Sequence, residues 1–254
     1  TSDLNRSLLY SSYSMYFDGT DYVSINNSTD FDFTTEQEIT VSAWVKGGPT
    51  NNNIIAALWI GGANKMWILY TDKVTVNLGG SNISTPSVTV STDEWHHIAF
   101  TYSKSDGQLK HYVDTVASTT SNSGDMTYSS AISELRIGYL QGGGSNYMNG
   151  NISNVSIFNK ALSENDILNI YNGGAPNDIS SLSPVSWWSL SGDSYFATNW
   201  ICPDLSANSN NGTGDGLPVT ALIGDAPGST ANGTGSGMNI PGNLEGNAPN
   251  SDKN

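Results

Sequence analysis

The sequence predicts an all-β protein, a sandwich or a barrel, and three observations lead to that prediction. Short apolar or alternating runs recur between clusters of Gly, Asn, Asp and Ser, which is the spacing of such folds. The 27 glycines and the scarcity of Lys, Arg and Glu lower helix propensity and supply turn residues. Cys202 is the single cysteine, so an intrachain disulfide and a Cys-based zinc cluster are excluded.

The first strands are predicted by turn chemistry and by alternation. Residues 14–17 and 21–25 flank an Asp-Gly-Thr sequence that suits a tight turn. Residues 39–46 place Ile, Val, Ala and Val on one face and Trp44 on the other. We therefore expect this strand to be covered on both faces.

The later strands are predicted wherever an apolar run lies between turn residues. These runs are residues 54–60, 66–70, 73–78, 95–102, 109–117, 135–139 and 151–158. A Ser-Asp-Gly turn lies between the runs 95–102 and 109–117, so these two strands are predicted to form a hairpin.

One helix is predicted after the last of these strands. Ser163 suits its N-cap, and Glu164 and Asp166 suit the positive end of a helix. Ile167, Ile170 and Tyr171 share one face, and two glycines followed by a proline end the pattern. We expect a short lid on the β-structure.

The chain divides by composition into three parts: an N-terminal segment (1–13), the main β-domain (14–175) and a Gly/Asn/Ser-rich arm (176–254). One strand is predicted in the arm, at residues 185–190. Because so polar an arm buries too little apolar surface to order alone, its strand is expected to complete the main domain or to exchange with a neighbouring subunit.

The charge balance limits the partners. Acids outnumber bases 23 to 9, for a formal charge of −14. We expect no nucleic-acid binding, because the chain has no surplus of Lys and Arg to displace phosphate counterions. We also expect no membrane span, because no apolar run approaches the ~20 residues that a spanning helix needs.

Several segments, in order, resemble laminin-G-like, concanavalin A-like lectin domains. They are residues 14–23 (S-M-Y-F-D-G-T-D-Y-V), 40–46 (T-V-S-A-W-V-K), 94–102 (E-W-H-H-I-A-F-T-Y), 107–114 (G-Q-L-K-H-Y-V-D), 135–138 (L-R-I-G), 147–155 (Y-M-N-G-N-I-S-N-V) and 157–171 (I-F-N-K-A-L-S-E-N-D-I-L-N-I-Y). The resemblance implies a jelly-roll sandwich of two antiparallel sheets, of the kind found in phage virion proteins and secreted bacterial proteins.

The sequence departs from the family pattern at two places. Asp114-Thr115 stands where the family usually has Asp-Gly, so that turn is altered. Ser153-Asn154 stands where the family commonly has an acidic pair, which weakens any calcium site transferred to this end. Residues 185–213 resemble a segment that usually precedes the first family motif, so they are expected to complete the sandwich in permuted order or to begin a second domain. We favour completion of the same sandwich, or donation to a neighbour.

Asp18 and Asp21 are the candidate metal ligands. They flank a glycine turn, and carboxylate oxygens clustered at a loop suit Ca²⁺. Asn149 is the third candidate ligand. The alternative is that these are solvated turn carboxylates.

Four aromatic residues near turns are the candidate carbohydrate-binding residues. An aromatic ring can stack on the apolar face of a sugar while polar groups bind its hydroxyls. The candidates are Trp59, Trp67, Tyr139 and Tyr147. The alternative is that they pack in the core or at its edge, since tryptophan is highly buried on average.

No catalytic constellation is predicted. His96 and His97 are adjacent on a strand and so point to opposite faces, which favours structural hydrogen bonding over a shared metal. A Ser-His-Asp site is not supported, because Gly-x-Ser-x-Gly is absent. Paired acids with the spacing of a glycosidase are missing from the apolar strands. We therefore expect that the chain is not an enzyme.

The first functional hypothesis is a non-catalytic, lectin-like structural or adhesion protein, most plausibly a virion component. It would bind surface glycans or neighbouring subunits, with Ca²⁺ as the possible cofactor, and would be a homo-oligomer or part of a larger assembly. Its location would be extracellular or on the virion surface. The alternative is a carbohydrate-binding module of a secreted bacterial enzyme or adhesin, and a glycoside hydrolase is a third, weaker hypothesis.

Overall fold

The computed structural model describes residues 12–26, 29–48, 53–60, 65–127, 134–140 and 147–228. These residues form two antiparallel sheets and one α-helix, α1 (Glu164–Tyr171). The strands are β1 (Ser14–Asp18), β2 (Tyr22–Asn26), β3 (Glu38–Gly47), β4 (Ile54–Trp59), β5 (Lys65–Tyr70), β6 (Val74–Leu78), β7 (Ser81–Ser84), β8 (His96–Ser103), β9 (Gln108–Val113), β10 (Val116–Ser121), β11 (Glu134–Ile137), β12 (Asn149–Phe158), β13 (Ser186–Trp188), β14 (Tyr195–Phe196), β15 (Trp200–Cys202), β16 (Gly212–Asp215) and β17 (Leu222–Ile223).

The two sheets pack face to face as a jelly-roll sandwich, which confirms the predicted fold class. The eight-stranded sheet has the order β10-β9-β8-β3-β12-β1-β17, and β13 also pairs with β12. The nine-stranded sheet has the order β14-β15-β16-β2-β11-β4-β5-β6-β7. Inward-facing apolar side chains of both sheets form one buried core, to which Phe17, Phe100 and Trp188 contribute. Most of the N-terminal segment (1–13) lies outside the described residues.

The helix covers the outer face of the eight-stranded sheet. Ser163 Oγ accepts a hydrogen bond from the backbone N–H of Asp166, and the Asp166 carboxylate accepts one from the N–H of Ser163, so the first turn is capped reciprocally. Tyr171 stacks on Trp44 at 5.7 Å between ring centroids. The expectation that β3 is covered on both faces is therefore confirmed.

The predicted strand 109–117 is wrong, because the chain turns in its middle. Asp114 and Thr115 have φ angles of 46° and 77°, and the turn that they make separates β9 from β10. Left-handed φ at both central residues gives the twist of a tight hairpin, although Thr is a poor residue for it. The hairpin is therefore present at the position where the usual glycine is missing.

The segment from Ser186 to Ile223 is part of the sandwich rather than an arm. β13 pairs with β12, β16 pairs with β2, and β17 pairs with β1, so the segment enters both sheets of the same chain. The arm predicted from residue 176 thus contains five strands, of which β13 lies within the one strand predicted there, residues 185–190. The physical reason is that β13 to β17 need little apolar surface of their own, because β1, β2 and β12 offer unpaired edges. Residues 229–254 lie outside the described part of the chain.

Candidate functional site

The outer face of the nine-stranded sheet carries a row of polar and aromatic side chains. Strand alternation sends Val23, Ile25 and Leu135 into the core, and it sends their neighbours outward. Across the sheet, Arg136 is opposite Ser24 on one side and opposite Ala57 on the other. The outward side chains of β2, β11 and β4 therefore lie side by side on one surface.

Three tyrosines and one arginine form the centre of this surface, and we call them the tyrosine cluster (Tyr22, Arg136, Tyr139 and Tyr147). The rings of Tyr139 and Tyr147 stack at 4.1 Å with an interplanar angle of 16°. The centroid of the Tyr22 ring lies 5.3 Å from the centroid of the Tyr139 ring. The Arg136 guanidinium lies 4.6 Å from the centre of the Tyr22 ring and 5.2 Å from that of Tyr139. Such cation–π contacts hold the rings in a fixed arrangement.

Acidic neighbours fix the arginine of the tyrosine cluster. Glu134 Oε2 accepts hydrogen bonds from Arg136 Nε at 2.7 Å and from Nη2 at 2.6 Å. Burial raises the pKa of Tyr22, Arg136 lowers it, and the charge of Asp215 on β16 raises it. The tyrosine therefore stays a neutral donor at physiological pH. A guanidinium has five N–H donors, so Arg136 retains donors beyond those used by Glu134.

The four predicted carbohydrate-binding residues do not share one environment. Tyr139 and Tyr147 are half-buried and form a β-bridge at the tyrosine cluster. Trp59 faces outward beside Glu134 and packs with Leu140 in a small apolar cluster, with 9% of its surface exposed. Trp67 has no exposed surface and lies in the core against Phe100. It therefore cannot stack on a sugar, which corrects the expectation for this residue.

Sequence reasoning missed Tyr22 and Arg136 as members of this surface. Tyr22 is next to the buried Val23, and Arg136 lies between the buried Leu135 and Ile137, so their outward direction followed from alternation alone. What the sequence did not show is that β2 and β11 are neighbours, because residues 27–133 separate them.

The turn between β1 and β2 brings together the three predicted metal ligands. Asp18 Oδ1 accepts hydrogen bonds from the N–H and the hydroxyl of Thr20, at 2.9 and 2.7 Å. Asp21 is fully buried, and its Oδ1 accepts a hydrogen bond from the N–H of Asp18 at 3.1 Å. Asn149 is opposite Asp18 in the β1–β12 pairing. Burial and, secondly, the charge of Asp18 raise the pKa of Asp21 to about 6.

The chemistry of this turn fits a hard cation only in part. Two carboxylates and an amide supply oxygen ligands, and Asp21 Oδ2 is buried with no hydrogen-bond partner among the described residues. Within the described ranges, however, no three His, Cys, Asp or Glu side chains come together as a metal site. The predicted calcium site stays a prediction, and Asp21 is the residue on which it depends.

The adjacent histidines have different environments. His97 is fully buried, and its Nε2 lies 2.7 Å from the hydroxyl of Ser42. Burial lowers the pKa of His97 to about 4, although the charge of Asp114 opposes the shift. His96 points instead to the rim between the sheets, where it contacts Ser91 and Asp114. The Asp114 hydrogen bond raises the pKa of His96.

Comparison with known families is consistent with this fold. The model of the concanavalin A-like lectin/glucanases superfamily matches residues 17–168. No curated protein matches the sequence. None of the helices in the described ranges is long and apolar enough to cross a membrane.

Comparison with solved structures gives the same result. A proposed carbohydrate-binding protein of Bacteroides ovatus is similar at a TM-score of 0.60 and 20% identity, over 85% of this chain and 61% of that protein. The chain thus spans about three-fifths of the length of the Bacteroides protein. A heptameric pentraxin of Limulus polyphemus has a TM-score of 0.48 at 19% identity, over 63% of this chain and 82% of that one. A sialidase carbohydrate-binding module of Ruminococcus gnavus has a TM-score of 0.47 at 13% identity, over 62% of this chain and 97% of that module.

Proposed function

The chain belongs to the concanavalin A-like lectin/glucanases superfamily, and from this premise we propose that it is a carbohydrate-binding module whose site is the tyrosine cluster. The observation that carries the proposal is the stacked pair of Tyr139 and Tyr147 beside the Arg136 guanidinium. Half-buried aromatic rings, held in place by charged neighbours, offer a rigid apolar platform surrounded by hydrogen-bonding groups.

The polar groups around the platform have the types that sugar hydroxyls need. Arg136 donates hydrogen bonds, whereas Glu134 and Asp215 accept them. Tyrosine hydroxyls can do both. Because Tyr22 and Arg136 lie on sheet strands and Tyr139 and Tyr147 pair in a β-bridge next to them, the ligand meets a surface that is largely formed before binding.

The proposal places the binding surface outside the cell, where a lectin-like module meets surface glycans. The Bacteroides ovatus protein is described as carbohydrate-binding, and this description supports the module hypothesis at the level of the fold. None of the structures named above is described as a virion component, so the virion role and the assembly into homo-oligomers stay predictions.

The test is a glycan array followed by calorimetric titration of the best ligand. Replacing one ring of the platform, Tyr147→Ala, should weaken binding by about fivefold, because an aromatic contact contributes about 1 kcal/mol. Arg136→Gln should weaken it at least as much. The matched control is Tyr195→Ala, which removes an exposed tyrosine from the edge of the same sheet and should leave binding unchanged. Equal affinities for all four proteins would contradict the proposal.

A further inference from the structure

Ser91, His96 and Asp114 form a continuous chain of hydrogen bonds at the rim of the sandwich. Ser91 Oγ lies 2.7 Å from His96 Nε2, and His96 Nδ1 lies 2.6 Å from Asp114 Oδ2. The second oxygen of Asp114 accepts the backbone N–H of His97 at 2.8 Å. A hydroxyl at one imidazole nitrogen and a carboxylate at the other is the arrangement that activates a serine nucleophile.

The carboxylate is held in place by a strained turn. Asp114 and Thr115 both have left-handed φ angles, which is unusual for a β-branched residue such as Thr. The backbone N–H of Asp114 also bonds to the carbonyl of His97 at 2.9 Å. Backbone strain persists only where the surrounding structure fixes it, and such strain is found most often at functional sites. Here it aims Asp114 at His96.

Ser91 is exposed and lines a cleft at the open rim between the two sheets. The cleft is shallow and open to solvent, with room for about one water molecule. Its lining includes Lys46, Asn53, Asp72 and Thr92. Asp72 is 5% exposed, and its Oδ1 has no hydrogen-bond partner among the described residues. A buried oxygen without a partner in a cleft is ready to accept a hydrogen bond from a hydroxyl group.

We infer that Ser91, His96 and Asp114 are a hydrolytic site that cleaves an acyl ester presented to the exposed hydroxyl of Ser91 at the rim of the sandwich. Ser91 Oγ attacks the ester carbonyl, and its proton passes to His96 Nε2. The bond from the carbonyl carbon to the alcohol oxygen breaks, and His96 gives the proton to that oxygen. Water then attacks the acyl-serine, His96 takes its proton and returns it to Ser91, and the acid leaves.

Lys46 brings a positive charge to the lining of the cleft beside Ser91, and its Nζ is paired with Asp225 at 2.9 Å. Asp114 is a positioning residue, because it contacts His96 and the backbone but does not line the cleft. The inference does not rest on the tyrosine cluster, and it departs from the expectation that the chain is not an enzyme.

The test uses the full chain with p-nitrophenyl acetate as substrate and a fluorophosphonate as covalent probe. The wild type should hydrolyse the ester faster than buffer, and peptide mass spectrometry should find the phosphonyl adduct on Ser91. Ser91→Ala should lose at least about 100-fold in rate and lose the adduct. Ser87→Ala, an exposed serine of the same loop, is the matched control and should keep both.

Two further variants separate this site from non-specific hydrolysis. Asp114→Asn should lower the rate at unchanged KM, because it disturbs the imidazole and not the cleft. If Ser91→Ala keeps the wild-type rate while His96→Gln loses it, the imidazole of His96 hydrolyses the ester without the serine. That result overturns the inference. A wild type no faster than buffer, with no adduct on Ser91, also overturns it. Glycan binding by the tyrosine cluster is measured separately, so either result can fail without the other.

Discussion

Asp204 links β13 to the loop that follows Asp204 within the segment after residue 185, and β13 in turn pairs with β12, so replacing Asp204 tests whether that segment is part of the cooperative fold. Its Oδ1 accepts the backbone N–H groups of Trp187 at 2.8 Å and Ser206 at 2.9 Å. Its Oδ2 accepts the N–H of Asn210 and the hydroxyl of Ser206, both at 2.9 Å. The residue is 8% exposed.

The cost of Asp204→Ala follows from which donors lose their acceptor. A hydrogen bond to a charged group contributes about 1.5–3 kcal/mol. Water can replace the acceptor at the more exposed donors, but the N–H of Trp187 lies in a buried strand. We therefore expect the free energy of unfolding to fall by about 3–4 kcal/mol, less than the sum of four such bonds.

The measurement is urea unfolding followed by tryptophan fluorescence, with the midpoint and the slope fitted together. The matched control is Asp178→Ala, an exposed aspartate whose Oδ1 accepts the backbone N–H of Ser180 at 2.9 Å. It should cost no more than about 1 kcal/mol. An Asp204→Ala variant within about 1 kcal/mol of wild type would show that the segment unfolds independently, and it would refute the reasoning.

Three further predictions concern the core, the pH response and calcium. Gly138→Ala should destabilise the protein by about 2–4 kcal/mol, because its Cβ would lie 2.7 Å from the Phe17 ring. Gly80→Ala also has a positive φ but open space, so chemical denaturation should show a smaller loss. His97 has a folded-state pKa of about 4, so its contribution of about 3 kcal/mol is present above pH 6.5 and is lost as pH falls towards 4. His97→Gln should reduce that slope without removing it, because burial also lowers the pKa of His111 to about 4, and an unchanged slope would contradict the assignment. Calcium should raise the melting temperature of wild type but not of Asp21→Asn, and an equal rise in both would refute the calcium site.

The long strands were predictable because their sequences carry the periodicity of a buried sheet. β3 is ten residues long and β8 is eight. Both carry enough apolar residues to be recognised as strands even where their exact ends are ambiguous. The helix was predictable from its capping residues and its double-glycine end. These elements define the centre of the eight-stranded sheet and the helix on its outer face.

The short strands after residue 190 could not be predicted from local pattern. β14 and β17 have two residues each, and β16 reads Gly-Thr-Gly-Asp, which has no apolar alternation. They form because β1 and β2 offer free edges to them. A tertiary edge, rather than local propensity, decides such strands.

The candidate site was predictable only in part, for two physical reasons. Tyr139 and Tyr147 flank a glycine run that marked them as loop-proximal, whereas Trp67 lies in a strand that is apolar at almost every position, so the sequence did not show which face is inward. Ser91, His96 and Asp114 come from a loop, a strand and a hairpin turn, and the three meet only through the β8–β9 pairing.

The measurement that tests the central claim most directly is the position of the bound glycan. The best ligand from the array would be titrated into isotope-labelled protein, and the perturbed backbone and tyrosine-ring signals would be mapped by NMR. The proposal predicts that the largest shifts fall on Tyr22, Arg136, Tyr139 and Tyr147. Shifts confined to the rim cleft or to the outer face of the eight-stranded sheet would contradict it.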